Sequence, residues 1–241
     1  MVERQYEVAS IEVGSPMTDE YRSTLLRLLA DQARAELFAS HMYSRWVPKA
    51  PGAEEKMMLA ELAHEETEHW YRAVVLIREL GIPENEITKY QGRNLYYPLA
   101  QLATIRKTWL DILMAAFIID RGAYFLVEDF AKSSYAPWSR ASIEILEEEV
   151  DHVDFGQKFL AGQIKKRGKQ RCQKALNKWW RIGLNMFGPP RTKNTDTYLR
   201  LGLKYRTNED RRQAWRRDCE PRVAALGLKV PKLWHQDFPY L

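Results

Sequence analysis

Two tetrapeptides, Glu66-Thr67-Glu68-His69 and Glu149-Val150-Asp151-His152, constrain this chain more than anything else in it. Each reads Glu-x-x-His, and on a helix that spacing stacks a carboxylate and an imidazole one turn apart on one face. The repetition matters more than either copy alone. Glu36 stands thirty residues before Glu66, and Asp120 stands twenty-nine residues before Glu149. A bundle that holds two iron or manganese ions takes one carboxylate from each of two helices and a Glu-x-x-His pair from each of the other two. The chain therefore reads as a duplicated helix hairpin in which each copy carries half of a dinuclear site.

Apolar periodicity puts these residues on buried faces. A first helix is expected from Thr18 or Asp19 to about Trp46, closed by Pro48, with Leu25, Leu29, Gln32, Glu36, Ala39 and Tyr43 along its stripe. A second runs from about Ala53 to Leu80 and stops at Gly81. Its stripe is Leu59, Ala63, Glu66, Trp70, Ala73 and Ile77, with His69 beside it. Residues 82–98 read as the crossover between the two hairpins. The third helix, about Leu99–Lys132, carries Asp120 on a seam with Phe117 and Tyr124. Ser133–Pro137 reads as a turn, and the fourth helix, about Trp138–Arg167, carries Glu149 and His152 on an inner face with Ile145, Gly156 and Leu160. A fifth helix follows Gly168 to about Phe187, then a short one near Asp196–Leu203. The last opens at Thr207-Asn208-Glu209-Asp210 with capping-box spacing, and Pro221 is expected to kink or end it. No convincing strand pattern appears, so the fold class is all-α. The expected division is an arm over residues 1–17, a four-helix bundle over 18–167 and a helical extension over 168–241 packed on that bundle.

Burying four carboxylates and two imidazoles without compensation costs several kcal/mol per charge. Two divalent cations remove the problem, because four negative charges balance them. Four oxygen and two nitrogen donors favour iron or manganese over zinc or copper. On the third helix the choice lies between Asp120 and Glu128. Asp120 sits on the seam, whereas Glu128 lies about eighty degrees further round an ideal helix, so Asp120 is the expected ligand. Glu61, Glu65, Glu68, Glu128, Glu147 and Glu148 read as solvent-facing charges or as partners behind the ligands. His41, His64 and His235 have no matching carboxylates and read as structural, and Trp70, Trp109, Tyr124 and Trp179 read as core.

Composition narrows the rest. The net charge of +5 is concentrated in Lys165–Arg181 and Arg191–Arg222, which suits a solvated basic face, an anionic ligand or an acidic partner. Nucleic-acid binding is not expected, since no recognised module is present. With only Cys172 and Cys219 there is no disulfide framework, and a reducing cytoplasm is the expected setting. Met1–Gly14 does not read as a signal peptide, and the apolar run Ile112–Ile119 is too short to cross a membrane.

Several stretches outside the metal motifs carry a resemblance. Tyr21-Arg22-x-Thr24-Leu25, Trp46-Val47-x-Lys49-Ala50-Pro51, Asp120-Arg121-Gly122-Ala123, Ser134-Tyr135-Ala136-Pro137 and Glu148-Glu149-x-x-His152 are similar to the catalytic subunits of the ring-1,2-phenylacetyl-CoA epoxidase family. So are Trp179-Trp180, Met186-Phe187-Gly188-Pro189, Thr207-Asn208-Glu209 and Leu226-Gly227-x-x-Val230-Pro231. The resemblance spans roughly residues 20–232. It implies a ferritin-like fold and a di-iron centre, with manganese an alternative occupant, held by Glu36, Glu66, His69, Asp120, Glu149 and His152. It also implies a second ferritin-like subunit, O₂ activation, and oxygen insertion into an aromatic acyl-CoA. A separate reductase is expected to supply electrons, because the chain shows no flavin or iron–sulfur motif. The competing readings are a di-iron oxygenase with another substrate, a ferroxidase or iron-storage protein, and a scaffolding subunit.

Overall fold

A computed structural model describes residues 9–83 and 108–232 of the chain. The arm's first eight residues, most of the expected crossover, the start of the expected third helix and the aromatic tail lie outside them. The described residues form an all-α, ferritin-like bundle, and their only β pairing is a single bridge between Ile11 and Tyr135.

The first hairpin follows its sequence closely. Helix α1 (Asp19–Trp46) opens where the Thr18 hydroxyl accepts from the Tyr21 amide at 3.2 Å. A short 3₁₀ turn (Val47–Lys49) then leads to α2 (Ala53–Glu79). Gly81 terminates α2 in a left-handed conformation at φ 80°, which costs a residue without a Cβ little.

The second hairpin departs from expectation. Instead of one continuous α-helix, α3 (Trp109–Ala115) runs into a π turn (Ala116–Asp120) and on into α4 (Arg121–Phe130). Thr108 and Asp111 close a capping box at its start. The partner helix α5 (Ala136–Arg167) begins two residues earlier than expected, because Pro137 is tolerated in a first turn whose amides have no intrahelical partner. The α4–α5 turn is pinned from three sides. Ser134 O accepts from Ile11 N at 2.8 Å, Ser134 N donates to Gly202 O at 2.7 Å, and Tyr21 Oη lies 2.8 Å from Ser134 Oγ.

Beyond the bundle lie α6 (Lys169–Asn185), α7 (Lys193–Arg200) and α8 (Asn208–Ala225). The expected Thr207/Asp210 capping box is present, with Thr207 N to Asp210 Oδ2 at 3.0 Å and Asp210 N to Thr207 Oγ1 at 3.1 Å. Pro221 does not end α8, which runs on to Ala225. The residue lies in the last turns, where its missing amide breaks little of the remaining ladder.

Two apolar clusters hold the molecule together. One joins Met42, Tyr43, Leu59 and Leu62 to α3, the π turn, Phe155, Trp179, Trp180 and Trp215. The other joins Leu25, Leu29, Val74 and Ile77 to Val127, Phe130, Trp138 and Ile145. Gly156 brings α5 onto the π turn, since a Cβ there would lie 2.5 Å from Phe117 N and 2.8 Å from Ala116 C. Gly162, exposed on the same helix, meets nothing within 4 Å. Gly156→Ala should therefore destabilise the fold by about 1–3 kcal/mol through overpacking against backbone. Gly162→Ala should stabilise it by about 0.5–1 kcal/mol. Urea denaturation of the two variants checks both signs.

Candidate metal centre

The six residues singled out by their spacing fall in one layer between the two apolar clusters. On α1, Glu36 sits between Ala33 of one cluster and Met42 of the other. Glu66 and His69 sit between Ala63 and Ala73 on α2, and Asp120 between Ile119 and Val127. Glu149 and His152 sit between Ile145 and Phe155 on α5. All six are buried, His69 and His152 completely.

The two motifs face each other with approximate two-fold symmetry. The imidazoles stack with centroids 5.9 Å apart, and the carboxylates of Glu66 and Glu149 lie between their inner nitrogens. His69 Nδ1 is 3.9 Å from Glu66 Oε2 and 3.8 Å from Glu149 Oε1. His152 Nδ1 is 3.3 Å from Glu66 Oε1 and 3.6 Å from Glu149 Oε2. Glu66 Oε2, Glu149 Oε2 and both Nδ1 atoms are buried without a hydrogen-bond partner among the described residues. Two overlapping groups, Glu36–Glu66–His69 and Glu66–Glu149–His152, each bring one donor atom per residue within 4.8 Å of the others. Orphaned buried donors converging at this spacing are what a cation site requires, and the set fits a divalent metal.

Behind each imidazole stands the carboxylate of the residue that precedes the opposite motif. His69 Nε2 lies 2.7 Å from Glu148 Oε2, and His152 Nε2 lies 2.8 Å from Glu65 Oε2. Such outer hydrogen bonds fix the ring and its tautomer, leaving Nδ1 free to bind. Arg72 supports Glu148 at 2.9 Å. The sequence left Glu65 and Glu148 among six glutamates that read as solvent-facing charges or as partners behind the ligands, without separating the two roles. The signal that separates them is their position directly before each motif glutamate. Two further partners lay unassigned on the α1 stripe. Gln32 donates to Glu36, and Tyr43 donates its hydroxyl to Asp120.

Asp120 belongs to neither group of converging donors, but its charge acts on Glu149. Glu128 is a third exposed and pairs with Arg206 at 2.7 Å. His64 is exposed, 3.8 Å from Glu68, and His41 is exposed, while His235 lies outside the described residues.

Electrostatics reflect the crowding. Burial pushes the Glu66 carboxyl well above the ordinary carboxylate range; Glu36 and Glu149 add to the rise and His152 opposes it. Burial also raises Glu149 to about 8, opposed by His152 and helped by Glu36, Asp120 and Glu65. For His152, burial works toward a lower value, but Glu149, Glu65 and Glu66 outweigh it and lift the imidazole well above its usual range. Burial would raise Glu148 too, yet its hydrogen bonds with His69 and Arg72 hold it below its usual value.

Residues 4–238 match the phenylacetic acid catabolic protein family. The chain belongs to that family. Over 235 residues it is 28% identical to a subunit of 1,2-phenylacetyl-CoA epoxidase from Escherichia coli (strain K12), covering 95% of this chain and 75% of that protein. Over 228 residues it is 26% identical to benzoyl-CoA oxygenase component B of Aromatoleum evansii, covering 83% of this chain and 48% of that protein. The chain thus spans about three quarters of the one relative and about half of the other. No helix among the described residues is long and apolar enough to cross a membrane.

The raised carboxyls give a stability prediction for protein stripped of divalent cations. In the fold Glu149 keeps its proton up to about pH 8, whereas unfolding returns it to an ordinary carboxylate near 4.5. The unfolded chain then binds fewer protons, so stability falls as pH rises between those values. The loss should be on the order of a few kcal/mol. Thermal melts of chelator-treated protein from pH 5 to pH 7 should show a falling Tm; above pH 7 Lys204, which desolvation lowers to about 7, acts in the opposite direction. A Tm that is flat or rises through this window would contradict these electrostatics.

Proposed function

We propose that this chain is the metal-bearing component of a multicomponent oxygenase that inserts an oxygen atom from O₂ into an aromatic acyl-CoA. The observation that carries this reading is the pair of buried, facing Glu-x-x-His motifs whose inner nitrogens and carboxylate oxygens lack partners. The names of the two relatives, one an acyl-CoA oxygenase component and the other part of an acyl-CoA epoxidase, supply the chemistry.

In this reading Glu36, Glu66, His69, Glu149 and His152 would hold the two ions, with Asp120 completing the set from the π turn. Two irons are the proposed occupants, on the strength of the oxygen-rich donor set. When bound, they supply the redox capacity for O₂ activation that side chains lack. The chain's own residues do the rest. Glu65 and Glu148 hold the imidazoles in the binding tautomer, and Tyr43 orients the Asp120 carboxylate. The apolar clusters on either side keep bulk water from the centre.

Both relatives are named as parts of larger enzymes, which supports the need for partners. We assign these as a separate reductase and a second ferritin-like subunit, with the reaction in the cytoplasm. The exposed cations Lys165, Lys166 and Arg167 suit a CoA-bearing substrate or an acidic partner surface.

The deciding experiment is a single turnover. Chemically reduced, iron-loaded protein is mixed with ¹⁸O₂ and a panel of aryl-CoA thioesters, and the products are read by mass spectrometry. One ¹⁸O atom should enter at least one thioester. With NAD(P)H alone as reductant, and no added reductase, the isolated chain should not turn over. Absence of label from every thioester, with iron bound, would overturn the acyl-CoA reading and leave an oxygenase of another substrate, storage or scaffolding.

A further inference from the structure

Three of the helices that bring Glu36, Glu66, His69, Glu149 and His152 to the centre are unbroken, but Asp120 comes from the last residue of a π turn. A shift from i+4 to i+5 pairing leaves one carbonyl of the ladder without its usual donor, and a buried carbonyl needs one. A donor to this stretch comes from α8. Trp215 of α8 is fully buried, and its Nε1 donates to the Ile118 carbonyl at 3.0 Å.

We propose that Trp215 is a positioning residue for the metal centre: its indole N–H holds the π turn in the register that presents Asp120. The inference rests on the dinuclear reading above and adds to it the role of α8. Three features support it. Gly183 of α6 is where Ile118 and Trp215 meet, since a Cβ there would lie 2.5 Å from Ile118 Cγ2 and 2.7 Å from Trp215 Cζ2. One turn further along α8, Asp218 accepts from Arg121 Nη1 at 2.6 Å. The helix therefore grips the turn at Ile118 and at Arg121, on both sides of Asp120. Opposite this grip, Tyr43 of α1 donates to the Asp120 carboxylate, so the backbone is set by α8 and the side chain by α1.

Trp180 provides the control. It is as buried as Trp215, its ring centroid lies 4.7 Å from that of Trp215, and its Nε1 finds no hydrogen-bond partner among the described residues. Replacing either tryptophan by phenylalanine removes similar volume from the same cluster. Only one of the two changes frees the π turn.

The test is an anaerobic Co(II) titration of the full chain, followed by calorimetry and by visible absorption, with circular dichroism and thermal melts alongside. Wild type should bind two Co(II). Trp180→Phe should keep both sites and both spectra. Trp215→Phe should bind one Co(II) as wild type does and the second about tenfold to a hundredfold more weakly, with a changed ligand-field spectrum, the range expected on loss of an outer partner. Trp215→Phe that binds both ions with wild-type affinity and spectrum overturns the proposal, as does an equal loss in both variants. If Trp215→Phe does not fold, Asp218→Ala replaces it, cutting the other half of the grip from a partly exposed position. Weakening of one site in that variant supports the proposal, and two unchanged sites overturn it. Wild type binding fewer than two Co(II) overturns the dinuclear reading itself, and the positioning role falls with it.

Discussion

Charge buried between two apolar cores is the constraint on which the rest of this molecule depends. Four carboxylates and two imidazoles occupy a single layer of the bundle, with hydrophobic packing on both sides. The cost is visible in Glu66 and Glu149: burial first, and neighbouring carboxylates second, make them hold protons far above the carboxylate range. A fold does not maintain such a layer for stability, because isolated buried charge costs more than the hydrogen bonds here return. The two clusters, joined through α1, α2, α5 and the α3–α4 run and braced by α6 and α8, provide the opposing stabilisation. The layer is in this sense a costly arrangement supported by its surroundings.

That support is specific as well as general. Each motif's imidazole is held by the glutamate that precedes the other motif, so α2 and α5 fix one another's donors. The arrangement works only at one register between the two helices. Gly156 allows the close contact of α5 with the π turn that sets the height of Asp120 against Glu149. Ser134, bonded to the N-terminal arm, to α1 and to the segment before α8, fixes the far end of the same hairpin.

Much of this was legible in the sequence. The limits of α1 and α2 follow from a Thr18 cap, Pro48 and Gly81, which are local signals. The six-residue layer follows from spacing, because carboxylates and histidines at matching intervals on apolar stripes must meet once the hairpins pair. The π turn was not legible. From Trp109 to Gly122 every residue is buried, so the run carries no polar face from which a change of period could be read. Nor was the continuation of α8 through Pro221, which depends on how few ladder bonds remain beyond it. The choice of Glu65 and Glu148 among the candidate outer glutamates, and the roles of Gln32 and Tyr43, were hidden for a different reason. Each is a contact between elements or a choice of rotamer, and it is settled only when the helices are in register.

The central claim is that this buried layer holds two metal ions between its histidines. Anomalous diffraction from a crystal loaded anaerobically with Fe(II), collected at the iron edge, tests it most directly. The account predicts two peaks per chain, one beside His69 Nδ1 and the other beside His152 Nδ1, with Glu66 and Glu149 between them. A layer with no iron peak, or with a single peak between imidazoles that remain bonded only to glutamates, would contradict it.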